Sequence, residues 1–409
     1  MKILIGTVEV CGLIHELAKE YRKQGHKVTT IGNPIRNFNY KYDIDKHRLI
    51  FTSFHYYFKN YFFAKLACRL FFILGKKIEK IVEKWITDYI LSSHDVYINI
   101  WAGLLPEDKD IEIFKNKGGK VITLILGSEI RDHNVLAEEF DVSQWTFPEN
   151  YYDNTFADRL KKLRLHEKIS DLICSVPDQA GLALRPYYHL QLPLDLRKFK
   201  FSIPGRDIPL VIHAPSDPYI KGTDVIENTL SDLARHGVKF EYKRIRGMNH
   251  SELLELLSEA DVVVDELVYH GPGFLGLEAM ASGCAVATRY IANSPDCFKP
   301  PVWNINADNI YHQLYVLLTN RDLRIELATE GGKYIMEHNN ITKIAEDLLS
   351  KVNEGQTMDG DYIPAFLIHK YKPKNTEQIN LLNYYTDYVK DCNWYKKHII
   401  SLERDGLKF

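Results

Sequence analysis

The sequence predicts an α/β protein of two Rossmann-like domains facing a central cleft, with a helical tail at its C-terminal end. Three observations predict this. The chain opens on a β–loop–α–β unit, and a second β-α-β-α-β alternation begins cleanly at Leu210. At 409 residues it is too long for one hydrophobic core. Its 45% hydrophobic and 26% charged content is that of a soluble globular protein. The expected division is 1–203 for the first domain, 204–375 for the second and 376–409 for a tail that packs back on the first.

Lys2-Ile3-Leu4-Ile5 reads as a short buried strand. Gly6 to Gly12 is a loop, and Leu13, Leu17 and Tyr21 give residues 13–24 helical spacing. Gly25-His26 stops that helix, and residues 27–31 form the next strand. The dinucleotide pattern Gly-x-Gly-x-x-Gly is absent from this unit, which disfavours a nicotinamide cofactor. Residues 54–85 interleave aromatic and basic side chains. They suit either an interfacial helix on an anionic membrane or a core helix pair with a solvated lysine face. Residues 96–100 and 121–126 read as parallel buried strands, the second running into Glu129 and Arg131. A carboxylate at the C-terminal end of such a strand is where α/β sheets bind ligands; a local ion pair with Arg131 is the plainer role for Glu129. Residues 170–176 form a further strand, and Pro204-Gly205 marks the linker.

In the second domain, residues 210–213 are a strand, and Lys221-Gly222-Thr223 stands at the mouth of a helix through Val225, Ile226, Leu230 and Leu233. A strand at 239–245 and a helix at 250–259 follow. The apolar run Val262–Val264 ends on Asp265 and Glu266, then comes the turn His270-Gly271-Pro272-Gly273. Residues 274–282 are rich in helix formers, Gly283 is a C-terminal stop, and residues 284–287 are the next strand. A glycine turn lets backbone N–H groups approach a ligand, and the following helix N-terminus carries unpaired donors and partial positive charge, which suits phosphate. Glu278, about a turn inside, can accept from two neighbouring hydroxyls of a ribose. The plainer alternative is an α/β crossover whose glycines only permit tight packing. Helices are expected at 309–319, at 321–338 with a break at Gly331-Gly332, and at 341–352.

Net charge is −2, which excludes a strong general attraction to nucleic acid. The six cysteines are scattered without C-x-x-C or metal-ligand spacing, so no metal is expected and reduced thiols in the cytoplasm are. No signal peptide is visible, and no apolar run is long enough to span a bilayer.

Residues 260–287 resemble the signature of retaining nucleotide-sugar glycosyltransferases of the GT-B fold, family 4: a Glu, seven residues with a Gly-Phe-Gly turn, then Glu-Ala-Met-Ala-x-Gly. Here Glu278 to Gly283 fit the second half, and His270 stands at the first Glu. Cys11-Gly12 stands at the family's Gly-Gly loop, and Gly25-His26-Lys27-Val28 matches the end of the first helix. Leu126 and Glu129 stand at the His and Asp of the family's turn at the cleft mouth. Lys221-Gly222 matches the pyrophosphate Lys-Gly, while the usual Arg falls on Ser216. His213, Arg244 or Arg246 is then left to supply the missing charge. The resemblance implies sugar transfer from a UDP- or GDP-linked donor to a glycan or lipid-linked acceptor in bacterial surface polysaccharide assembly, with retention and without a metal or other cofactor. It implies a cytoplasmic enzyme, peripheral on the inner face of the plasma membrane if residues 54–85 bind lipid. Lys221, His270 and Glu129 are the implied catalytic residues. Gly12, Lys221, Asp265, Glu266, Gly271, Gly273, Phe274 and Glu278 are the implied donor-binding residues. The residues also leave open a non-catalytic binding or scaffold protein, or a sugar-nucleotide epimerase or hydrolase, on the same fold.

Overall fold

The structure is a computed structural model and describes residues 1–33, 46–47, 84, 88, 90–127, 129–130, 156–176, 187–219, 221–268, 271–290, 299–354 and 361–362. The aromatic and basic stretch 54–83, His270, Arg131 and the tail 376–409 lie outside the described residues.

Two sheets organise the chain. The first lobe contains β1 (Lys2–Val8), α1 (Leu13–Lys23), β2 (Lys27–Asn33), β3 (Lys46–His47), β4 (Val96–Ile100), α2 (Lys109–Asn116), β5 (Lys120–Ile125), α3 (Phe156–Ile169), β6 (Leu172–Ser175) and β7 (Tyr187–His189). The second contains β8 (Leu210–His213), α4 (Thr223–Arg235), β9 (Glu241–Arg244), α5 (His250–Leu257), β10 (Val262–Val264), α6 (Phe274–Ser282), β11 (Ala285–Thr288), β12 (Trp303–Asn304), α7 (Ile310–Thr319) and α8 (Arg321–His338). The chain then returns through α9 (Ile341–Glu354) to β13 (Asp361–Tyr362). The strand orders are β13-β7-β6-β5-β4-β1-β2-β3 and β12-β11-β10-β8-β9. All pairings are parallel except β13 on β7.

Parallel strands need cover on both faces, which explains their continuous apolar runs. Ile3, Ile5, Ile98 and Leu124 pack beneath α1 and α9, while Leu4, Tyr97 and Val121 face Ile111 and Phe114 of α2. In the second lobe Ile212, Val263 and Val286 pack against α6, and Val211, Val262 and Val264 against α4 and α7. Leu126, at the end of β5, touches both the first core and the α6 core, so the C-terminal edge of the first sheet abuts the second lobe.

The outward and return crossings run side by side. The Leu194 N–H donates to the Asn339 carbonyl at 2.8 Å and the Ile341 N–H donates back to the Leu194 carbonyl at 3.1 Å. Lys19 and Arg197 bond Asp195, and Arg197 also reaches Glu20 on α1. A return to the first lobe thus comes at residues 339–341, and α9 packs on the first core; the expected boundary at 375 lies outside the described residues.

The expected break at Gly331-Gly332 is absent: α8 runs unbroken from Arg321 to His338. These glycines serve packing instead. A Cβ at Gly332 would lie 2.4 Å from the Phe201 ring, and one at Gly331 3.0 Å from Met280. Among the described residues no helix is long and apolar enough to cross a membrane.

Candidate functional site

In an open α/β sheet the ligand crevice lies at the C-terminal ends of the strands, where the strand order reverses. In the second lobe that point lies between β8 and β10, and in the first between β1 and β4. Both carry buried carboxyl groups.

At the second lobe's switch point, Lys221 sits in the turn before α4. Gly222 caps that helix at φ 69°, a left-handed conformation, and a Cβ there would come within 2.9 Å of Leu267. The turn aims the Lys221 ammonium inward. Its Nζ lies 2.8 Å from Asp265 Oδ1 and 2.8 Å from Glu266 Oε2, both residues following β10. Burial alone would lower the Lys221 pKa, but the two carboxylates outweigh it and raise it above the usual lysine value. Burial likewise works to raise the Asp265 pKa, and Lys221 and the Gly273 N–H hold it below the usual carboxylate range instead.

Gly273 caps α6, and its N–H donates to Asp265 Oδ2 at 3.0 Å. A side chain on Gly273 would begin 3.7 Å from Lys221 Nζ and 3.6 Å from Asp265 Oδ2. The ammonium and the α6 N-terminus therefore flank one carboxylate, Lys221 on Asp265 Oδ1 and the Gly273 N–H on Oδ2. Gly271 packs against Thr288 and Glu266, where a Cβ would meet Thr288 Oγ1 at 2.5 Å. Phe274, the first residue of α6, packs on the apolar core rather than facing this polar point alone.

Glu278 is buried one turn into α6, and its Oε1 accepts from His250 Nε2 at 2.7 Å. His250 begins α5 next to the capping residue Asn249. Sequence reasoning missed His250 because its partner is 28 positions away and only the fold joins α5 to α6.

The three candidates for the missing charge separate clearly. His213 bonds the Val264 carbonyl through Nδ1 at 2.8 Å and Thr223 Oγ1 through Nε2 at 2.9 Å. Burial lowers its pKa, so it is a neutral, structural imidazole. Arg244 pairs with Glu227 at 3.0 Å. Arg246 is exposed on the loop after β9, and Ser216 is exposed as well.

In the first lobe, Gly12 caps α1 at φ 81°. The donors of that helix start are occupied by a residue the sequence reading passed over. Glu9, which directly follows β1, is 1% exposed, and its Oε1 accepts from the Ile14 N–H at 3.2 Å. Its Oε2 is buried with no hydrogen-bond partner among the described residues. Burial pushes the Glu9 carboxyl up to about 7, against hydrogen bonds from the α1 backbone that lower it. The available signal was a lone carboxylate between an apolar strand and a glycine turn.

Across the same switch point, Thr7 Oγ1 donates to the Ala102 carbonyl at 2.6 Å and ties the end of β1 to the end of β4. Trp101 is half-buried with φ 60°, and Lys162 Nζ lies 4.5 Å from its ring centroid. Below it, the buried Asn99 amide has neither polar atom partnered among the described residues. Glu129 lies in the turn beyond β5, half-buried, and its Oε2 is shielded from water without a partner among the described residues.

No family model matches the sequence, and no curated relative does. Solved structures do match in shape. Sucrose-phosphate synthase from Thermosynechococcus elongatus superposes with a TM-score of 0.56 at 11% identity, covering 87% of this chain and 99% of that one. A trehalose-6-phosphate synthase, studied for glycosyl transfer with retention, gives 0.56 at 13% identity over 86% of this chain and 99% of its own. An α-glucosyltransferase in complex with UDP and a 13-mer DNA gives 0.51 at 13% identity over 86% and 100%. Two mostly parallel sheets, paired crossings at 192–194 and 339–341, the last described helix returned to the first core, and these likenesses together make the fold that of the GT-B glycosyltransferases.

Proposed function

We propose that this chain transfers a sugar from a nucleotide-sugar donor to a glycan or lipid-linked acceptor, with retention at the anomeric carbon. One observation carries the reading: Lys221 and the Gly273 N–H at the start of α6 hold the two oxygens of one carboxylate, Asp265 Oδ1 and Oδ2, so an anionic group already fits between them. A diphosphate oxygen has the same charge and hydrogen-bonding demand as that carboxylate. The diphosphate approaches Lys221 from its exposed side and shares the ammonium with Asp265 and Glu266. Glu278, fixed by His250, accepts from the ribose hydroxyls with the oxygen outside that pair. As the sugar–phosphate bond breaks, negative charge grows on the leaving diphosphate, and the fixed ammonium stabilises it in place of a metal ion. The acceptor hydroxyl attacks from the same face and passes its proton to the departing phosphate.

The retaining outcome rests on the sequence signature at Glu278–Gly283 and on the shape shared with trehalose-6-phosphate synthase. UDP as the nucleotide is supported by the α-glucosyltransferase complex. A setting in bacterial surface polysaccharide assembly, on the cytoplasmic side and touching an anionic membrane through residues 54–85, rests on the sequence alone.

One observation favours a second reading, a non-catalytic nucleotide-binding or scaffold protein. Two carboxylates face one ammonium, so its positive charge is already more than offset within the chain. A thermal-shift series with UDP, GDP and their sugars separates the two readings when combined with mass-spectrometric detection of donor hydrolysis. The transferase reading expects stabilisation by one nucleoside diphosphate and slow release of free sugar from its conjugate. Stabilisation without turnover supports the scaffold, and no shift with any nucleotide overturns both.

A further inference from the structure

The first lobe's switch point holds two features that the donor site leaves unused. Glu9 is almost fully buried at the end of β1, with one carboxyl oxygen committed to the α1 backbone and the other without a partner among the described residues. Trp101, at the end of the neighbouring strand β4, is half-buried in a left-handed backbone conformation. Its loop repeats that conformation at Glu107 and Asp108. Such outliers persist only where the surroundings hold them, and they concentrate at ligand sites. The surroundings are visible here. Lys162 sits over the indole, and Asp108 anchors Lys162 at 3.2 Å while also accepting from His166 at 3.0 Å and from the Gly103 N–H at 2.7 Å. The Thr7–Ala102 bond joins the two strand ends.

From this geometry we infer that Glu9 and Trp101 form a subsite for a neutral sugar ring, the ring of the acceptor stacking on the indole with one hydroxyl bonded to Glu9 Oε2. The inference rests on the transferase reading and specifies its acceptor side. Charge decides between a sugar and an anion. Glu9 itself occupies the α1 N-terminus, so no free anion seat remains there, and a phosphate would meet a carboxyl group. A hydroxyl meets a group that can accept from it, or donate to it when protonated. Near neutral pH both forms of Glu9 are present, because no described cation is paired with it to offset its burial. The part of the half-buried indole that Lys162 does not cover supplies the apolar surface for the C–H side of a pyranose.

The test uses the full chain labelled with 5-fluorotryptophan and needs neither donor nor turnover. The Trp101 ¹⁹F resonance is assigned with Trp101→Phe. It is then titrated with methyl α-glucoside, methyl α-galactoside, methyl α-mannoside and N-acetylglucosamine, and separately with UDP and inorganic phosphate. At least one glycoside is expected to move the Trp101 resonance saturably, while UDP and phosphate leave it in place. Glu9→Ala is expected to weaken that glycoside at least fivefold, and Glu9→Gln, which keeps a carbonyl for Ile14 and an amide for the hydroxyl, to stay within threefold. A resonance unmoved by every glycoside overturns the inference, as does saturation by phosphate or UDP, or unchanged affinity in Glu9→Ala. The wild-type titration decides the question even if Glu9→Ala does not fold. The UDP thermal shift reports separately on the donor reading, so the two proposals fail independently.

Discussion

The two lobes place a carboxyl group on a helix N-terminus beside their switch points, and they treat it in opposite ways. Asp265 caps α6 with Lys221 as counter-ion and stays ionised below the usual range. Glu9 caps α1 without a counter-ion among the described residues, and its pKa rises to about 7. The helix ends and the burial are alike, so the ammonium makes the difference. A buried carboxylate is kept charged by a paired cation, whereas hydrogen bonds from a helix start alone do not overcome desolvation. The comparison also divides the chemistry. The switch point whose carboxyl group is paired with an ammonium suits an anionic ligand; at the other, where Lys162 is held by Asp108 rather than by Glu9, a neutral, hydroxylated ligand fits.

The strongest way to break the comparison is to remove the ammonium. Lys221→Met leaves Asp265 and Glu266 buried together without their cation, and should cost about 3–5 kcal/mol in urea unfolding. Adding Asp265→Asn to that variant should recover much of the loss. A Lys221→Met loss below about 1 kcal/mol would mean that the ion pair does not hold the site together.

The next effect is the mirror image and depends on pH. The folded state keeps the Glu9 proton up to about pH 7, while the unfolded chain releases it near the ordinary value of 4.5. The folded state therefore binds more protons between these values, and stability falls as pH rises through that window. Glu9→Gln removes the dependence. It should unfold like the wild type at pH 4 and be more stable at pH 8, by up to about 3 kcal/mol. Equal stability at both pH values would show that Glu9 is not held in its protonated form.

A finer contrast lies within α6. A Cβ at Gly276 would meet Pro272 at 2.7 Å and Asp265 Oδ2 at 2.9 Å, whereas one at Gly273 makes only ordinary contacts. Gly276→Ala should destabilise by about 1–3 kcal/mol, and Gly273→Ala should stay within about 0.5 kcal/mol. The reverse order, read by the same unfolding experiment, would mean that Asp265 is not packed against the α6 start as described.

Much of the fold is legible in the sequence. The continuous apolar runs at 96–100, 210–213 and 262–264 mark strands covered on both faces, and the helix stop at Gly283 is visible from its residue type. Gly331 and Gly332 mislead because local propensity makes them breakers, while tertiary contact with Phe201 and Met280 makes them packing residues. Within the site, Lys221 and Glu278 are legible because each sits in a short local pattern. Their partners are not. The Lys221–Asp265 contact spans 44 positions, Glu278–His250 spans 28, and the Thr7–Ala102 bond spans 95. Only the parallel crossovers bring these residues together, and the helix start that Gly12 marks is taken up by a carboxyl group just upstream.

The central claim is that the second lobe's switch point grips a nucleoside diphosphate, with Glu278 on its ribose. Isothermal titration of UDP and GDP into the wild type and into Glu278→Ala tests it most directly. The expected result is saturable binding of one nucleotide to the wild type and an affinity at least about tenfold lower in Glu278→Ala, the loss of roughly one charge-assisted hydrogen bond. Equal affinity in the two proteins, or no binding of either nucleotide to the wild type, would contradict it.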